Sequence, residues 1–285
     1  MIQVNDKDAL RVVMRGYRST AETTAFIPTL GNLHDGHLSL VRKAKEVADR
    51  VVVSIFLNPT QFDKPDDLLA YPKTLENDLA LLQRESVDLI FLPTAQEMYP
   101  DGGATRVEVG GISDILEGDS RPGHFSGVAT VVAKLFNLVQ PDISVFGKKD
   151  FQQLMLIRRM VEDLDFGIRI IEAPTAREES GLAMSSRNNY LTAEQRDLIA
   201  PNLYKEIKRI GQRIEEGETN YGELQRQSAK HLERLGFNPD YIEVRNANNL
   251  SVAKVGDLNL VVLVSAWLGK ARLIDNITLN LCDNC

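Results

Sequence analysis

Short apolar runs alternate with longer amphipathic stretches through the first 175 residues. The runs at 26–30, 51–57 (VVVSIFL), 88–92, 143–146 and 168–173 (IRIIEA) are nearly continuous in apolar side chains. Such runs predict strands buried on both faces. Between them, apolar residues return at helical spacing over 36–49, 75–84, 127–138 and 150–164, which predicts helices. Strands and helices in alternation imply a parallel sheet with helices on both sides. The expected fold is therefore α/β, with a Rossmann-like sheet domain over residues 1–175.

The pattern changes near residue 175. Thr192-Ala-Glu-Gln195 has the form of a capping box and predicts the start of a long helix. A second helix is expected over 221–235, punctuated by Gly236 and Pro239. Short strands are expected at 241–244, 258–264 and 271–274. This reads as a smaller α+β domain over 176–285. There is no internal repeat.

Composition narrows the class. The 285 residues are 43% hydrophobic and 26% charged, as in ordinary globular proteins. A net charge of −7 argues against nucleic acid as the main partner, since binding to a phosphate backbone needs a basic face. The longest apolar stretch, 258–268, is too short to span a bilayer, and the N-terminus carries no basic-plus-apolar leader pattern. The expectation is a cytoplasmic protein. Cys282 and Cys285 form a terminal C-x-x-C. A zinc site needs about four ligands and no second cysteine pair exists, so an inert tail is expected.

Candidate chemistry begins at residues 26–41, FIPTLGNLHDGHLSLV. Here a strand ends in a tight turn, and a helix is expected to begin at the two histidines, His34 and His37. The first turn of a helix has backbone N–H groups without partners and a partial positive charge, which suits a nucleotide phosphate. Gly31 and Gly36 allow close approach of backbone and ligand. A metal would need a third ligand, and none lies nearby in sequence.

Three further groups fall at expected strand ends. Met184-Ser-Ser-Arg187 follows the last sheet strand; hydroxyls and a guanidinium suit polyphosphate oxygens. Phe146-Gly-Lys-Lys-Asp150 repeats the order strand end, glycine, helix start, and Lys149 can neutralise a phosphate. Asp150 could cap its helix or hold a lysine. Asn58-Pro-Thr-Gln61 and Arg121-Pro-Gly-His124 complete the set, and the amides of Gln61 and Gln153 can grip a hydroxyl and a carboxylate. No nucleophile signature and no P-loop appear, which points to catalysis by positioning and charge stabilisation.

H-x-G-H and M-S-S-R, about a domain apart, resemble the HIGH and KMSKS signatures of the nucleotidyl-transferase superfamily of class I aminoacyl-tRNA synthetases. Within it, the blocks PTLGNLHDGHLSLV, FLNPTQF, RPGHFSGVATVV, FGKKDFQQL, REESGLAMSSRNNYL and RLIDN, in order between residues 28 and 276, resemble the pantoate–β-alanine ligase family. The resemblance implies ATP-dependent condensation of pantoate with β-alanine through pantoyl adenylate, releasing pyrophosphate and then AMP. It also implies a homodimer and Mg²⁺.

The residue roles implied by the resemblance are as follows. His37, His34, Lys149 and Arg187 are catalytic. Leu30, Gly31, Asn32, Leu33, His34, Asp35, Gly36, His37, Gly147, Lys148, Lys149, Asp150, Ala176, Met184, Ser185, Ser186 and Arg187 bind ATP. Gln61, Gln153, Asn58 and Arg121 bind pantoate or β-alanine, and Asp78 is associated with Mg²⁺. Leu30 stands where the family usually has Met, and Lys148 where it usually has Glu. Asn77 replaces a frequent acidic neighbour of Asp78. A plain nucleotidylyltransferase would share the histidines without needing the paired glutamines. A non-catalytic nucleotide sensor would be expected to lack some of the motif residues, which are all present.

Overall fold

The computed structural model describes residues 1–62 and 65–281. Cys282 and Cys285 lie outside the described residues. The chain divides into two compact units. One comprises Met1–Gly147 and Gln153–Ala173; the other comprises Lys148–Gln152 and the chain from Pro174 onward.

The first unit is built on six strands: β1 (Ile2–Val4), β2 (Thr24–Thr29), β3 (Arg50–Ile55), β4 (Leu89–Phe91), β5 (Ile143–Gly147) and β6 (Arg169–Ala173). Their order across the sheet is β1-β4-β3-β2-β5-β6, and every pairing is parallel. Helices connect them: α1 (Lys7–Ser19), α2 (Asp35–Lys45), α3 (Pro65–Leu69), α4 (Leu75–Arg84), α5 (Ala95–Met98), α6 (Glu117–Ser120), α7 (His124–Val139) and α8 (Phe151–Asp163).

The strands are apolar on both faces because both are covered. Phe26, Val52, Leu89 and Phe91 share one core with Leu10 and Met14 of α1, Phe136 of α7 and Leu154 of α8. Their strand neighbours Ala25, Ile27, Val53 and Ile90 face the opposite core, with Leu38 and Val41 of α2 and Leu82 of α4. Side chains alternate along a strand, so one run serves two cores.

Sheet order decides where the chemistry sits. The chain leaves β2 in one direction to β3, whereas β5 is added on the other side of β2. Ligands of open α/β sheets bind beyond the carboxyl ends of the strands at such a switch point. The loop after β2 carries His34, and the carboxyl end of β5 is Gly147.

The second unit has three antiparallel strands, β7 (Asn238–Asn246), β8 (Asn259–Leu268) and β9 (Ala271–Asn280), in that order. Ile207 and Ile210 of α9 (Asn202–Glu215) and Leu232 of α10 (Tyr221–Arg234) share its core with Val244, Val262 and Leu273.

Two local expectations are corrected. β1 was not anticipated: three residues are too few to show a period, and pairing with β4 makes them a strand. The box at Thr192 forms as expected, with Thr192 N–H donating to Gln195 Oε1 at 3.0 Å and Gln195 N–H to Thr192 Oγ1 at 3.2 Å. It opens only a five-residue π-turn, Gln195–Ile199, and α9 starts at Asn202. Pro201 interrupts the run because it has no N–H to donate. Among the described residues, no helix is long and apolar enough to cross a membrane.

Candidate active site

In the first unit the two histidines cap α2 and each other. Gly36 N–H donates to His34 Nδ1 at 3.1 Å, and His34 N–H donates to His37 Nδ1 at 3.3 Å. The rings lie 4.2 Å apart, centroid to centroid. A neutral imidazole has one N–H and one acceptor. With both Nδ1 atoms accepting, both neutral rings carry their proton on Nε2.

This corrects the origin of the expected anion seat. The N–H groups of His37 and Leu38 bond to His34 O, and that of Gly36 is held by His34 Nδ1. The first-turn amides that were to meet a phosphate are largely used inside the turn. The capping bonds leave the proton of each neutral imidazole on Nε2, a side-chain donor in addition to these amides.

The loop ahead of the histidines is shaped by Asp78 on α4. Its Oδ2 accepts from Asn32 N–H at 2.8 Å, and its Oδ1 from Leu33 N–H at 2.9 Å and Thr74 Oγ1 at 3.1 Å. Gly31 and Asn32 both have positive φ, 87° and 53°. Tyr71 Oη donates to Gly31 O at 3.2 Å. Leu30 is half-buried, Leu33 is buried, and Asp35 is exposed beside Arg42. Asp78 is 1% exposed, and no group of three or more metal-ligating side chains gathers among the described residues. The donor set around Asp78 does not fit a cation, because every group it meets presents a hydrogen.

The turn after β3 is held by Asn58, which is 0% exposed. Asn58 Nδ2 donates to Gln61 Oε1 at 3.0 Å and to Gly127 O at 3.2 Å; its Oδ1 accepts from Thr60 Oγ1 and from Tyr99 Oη at 3.0 Å. Burial pushes the Tyr99 phenol up, against a smaller opposing effect from Thr60, so it stays a donor. Asn58 was grouped with the substrate-binding side chains. In the fold its Nδ2 holds Gln61 Oε1, which fixes the orientation of the Gln61 amide.

Arg121 also acts on this turn. His124 Nδ1–H donates to Gln61 O at 2.8 Å, and Arg121 approaches both His124 Nε2 and Gln61 O. Gly127 of α7 permits the contact: a Cβ there would lie 2.3 Å from Thr60 O. Gln153 is half-buried in the first turn of α8 and makes no side-chain hydrogen bond among the described residues.

In the second unit, residues 148–150 form a 3₁₀ turn directly after Gly147. Lys149 Nζ lies 3.8 Å from Asp150 Oδ1, and Lys148 Nζ donates to Thr278 Oγ1 at 3.3 Å. Ser185 caps the turn Ser186–Tyr190, its Oγ accepting from Arg187 N–H at 3.2 Å. Met184 N–H bonds to Ala176 O. Arg187 has no side-chain partner among the described residues.

Two neighbours on β9 organise this half. Asn276 Nδ2 donates to Lys148 O at 2.9 Å and to Lys149 O at 2.8 Å. Asp275 takes both arms of Arg177, at 2.6 and 2.9 Å, and that guanidinium stacks 3.4 Å over Tyr204. Sequence reasoning assigned no role to Asp275 or Asn276. Their only signal was the quoted block RLIDN.

The whole chain matches known proteins in the same sense. The family model described as pantoate-beta-alanine ligase matches residues 3–278. The chain belongs to the pantoate–β-alanine ligase family. It is 50% identical over 283 residues to the pantothenate synthetase of Thioalkalivibrio sulfidiphilus, covering 99% of each chain. The pantothenate synthetase of Thermus thermophilus superposes with a TM-score of 0.90 at 43% identity, over 97% of this chain and 99% of that one. The pantoate-beta-alanine ligase of Francisella tularensis, solved in complex with beta-gamma ATP and beta-alanine, gives 0.81 at 37% identity over 97% of both chains. The protein is thus a ligase, and its reaction is the one the family is named for.

Proposed function

We propose that this protein condenses pantoate with β-alanine in two steps at the expense of ATP. A pantoate carboxylate oxygen attacks the α-phosphorus, forming pantoyl adenylate as the bond to pyrophosphate breaks. The β-alanine amine then attacks the acyl carbon, the C–O bond to AMP breaks, and the nitrogen loses its extra proton. Neither step needs a covalent enzyme intermediate, in keeping with the absence of a nucleophile signature.

The observation that carries the reading is the pair of capped imidazoles. Both Nδ1 atoms hold backbone N–H groups, so each neutral ring carries its proton on Nε2, the atom we assign to phosphate oxygens. Such preorganised donors stabilise charge as it develops at phosphorus. His37 is the group we assign to the α-phosphate, with His34 beside it. Lys149 and Arg187 supply cations for the departing pyrophosphate, and the segments 30–37, 147–150, 176 and 184–187 bind ATP. Gln61 and Gln153 hold pantoate, and Asn58 and Arg121 keep Gln61 in place.

The same reading takes ATP to enter with Mg²⁺ on its phosphates, with no protein ligand assigned to the metal. It takes the chain to be a homodimer, on the strength of the family resemblance, and cytoplasmic, as expected from the sequence pattern. Incubation with ATP, pantoate and β-alanine tests the function. AMP release that requires both acceptors, with a product of the mass of pantothenate, is expected. AMP formed without β-alanine dependence, or a nucleotide-containing end product, would refute it.

A further inference from the structure

We infer that Asp78 is the positioning residue of the ATP loop: a buried carboxylate that sets the backbone ahead of His34, not a ligand of Mg²⁺. The inference rests on the reading above that residues 30–37 bind ATP.

Gly31 and Asn32 are consecutive left-handed residues. Successive N–H groups in such a stretch converge on one side and form an anion-binding concavity. Here the concavity is already filled, by the carboxylate of Asp78 at 2.8 and 2.9 Å from the N–H groups of Asn32 and Leu33. A left-handed asparagine is strained relative to glycine, and a charge-assisted bond to its N–H offsets that strain. The fit is tight, since a Cβ on Gly31 would stand 3.2 Å from Asp78 Oδ2. Thr74 Oγ1 supplies a third donor and orients the carboxylate.

The consequence reaches the chemistry through one residue. Leu33 precedes His34, whose Nδ1 holds Gly36 N–H and whose N–H is held by His37 Nδ1. The point at which Asp78 pins Leu33 therefore fixes where both rings begin. A metal ion at Asp78 would have to displace three donors whose positive ends point at the same two oxygens, inside a site 1% exposed.

The test is Asp78→Asn, which keeps the shape and turns an NH₂ toward a backbone N–H. Without ATP, hydrogen exchange at the Asn32 and Leu33 amides should speed up by about tenfold or more. The specificity constant for ATP should fall about 10- to 100-fold, with the Mg²⁺ concentration for half-maximal rate unchanged. A severalfold rise in that Mg²⁺ concentration, with excess Mg²⁺ restoring the rate, would overturn the inference in favour of a metal ligand. Unchanged use of ATP despite faster exchange would overturn the positioning role. Wild-type exchange keeps the inference exposed even if the variant does not fold: these two amides should be protected in the ligand-free protein, and exchange at free-peptide rates would end it. Failure of the wild type to make AMP with both acceptors would refute the functional reading alone, since the exchange measurement involves no substrate.

Discussion

Replacing Gly127 by alanine should damage the turn that carries Gln61 while leaving the helix that carries Gly127 in place. The new Cβ would sit 2.3 Å from Thr60 O, 2.6 Å from Thr60 C and 2.7 Å from the Gln61 Cα, all backbone atoms. To reach an ordinary contact the two chains must part by about 1 Å. The α7 side cannot retreat, because Phe125, Val128 and Ala129 are almost fully buried around it. The movement falls on residues 58–61. It lengthens the Asn58–Gly127 bond of 3.2 Å and frees the Gln61 amide that Asn58 holds. An unhindered Gly→Ala in a helix gains about 0.5–1 kcal/mol, whereas overpacking costs about 1–3 kcal/mol. The expected net is a lower Tm. A misplacement of about 1 Å at a substrate-holding group costs on the order of 10²-fold, so kcat/KM for pantoate should fall by about that factor. AMP release at saturating ATP with pantoate varied, beside a thermal melt, measures both. A Tm equal to or above wild type with pantoate use unchanged would refute the close-approach argument.

Three further outcomes are expected. His37→Ala removes one preorganised donor and should lower turnover about 10²- to 10³-fold; a loss under about tenfold would count against its role. Asn276→Ala leaves the carbonyls of Lys148 and Lys149 without their shared donor. The KM for ATP should rise about tenfold with that for pantoate little changed, and equal damage to both would contradict the placement. Burial alone would raise the pKa of Glu206, but bonds from Arg209, Ser228 and His231 outweigh it and hold the carboxyl below its ordinary value. A lowered folded-state pKa stabilises above the unfolded value and is lost as pH falls through the folded one. Glu206→Gln should therefore lower Tm near neutrality and lose that difference in acid; a gap that persists below the carboxylate range would refute the assignment.

Much of the site was legible because it is local. The histidine pair and the Ser-Ser-Arg turn each bond to neighbours within a few residues, and capping partners are set by spacing. What was not legible is long-range. Asp78 meets its loop across 46 positions, Asn58 meets Gly127 across 69, and Asn276 meets Lys148 across 128. No periodicity reports such pairs. The resemblance gave Asp78 to Mg²⁺ and Asn58 to substrate; in the fold both are buried, and their polar atoms are hydrogen-bonded to groups brought in from elsewhere in the chain.

By itself the sequence determined the α/β class, the alternation of strands and helices, and the motifs by which the family is known. Apolar spacing and motif spacing are properties of a few adjacent turns, and these are written in order along the chain. Only the tertiary structure decided the sheet order that makes β2 and β5 neighbours and the long-range bonds of Asp78, Asn58 and Asn276. Those outcomes depend on which distant donors and acceptors are taken out of water together. A buried polar group must then find its partner wherever the fold has brought one.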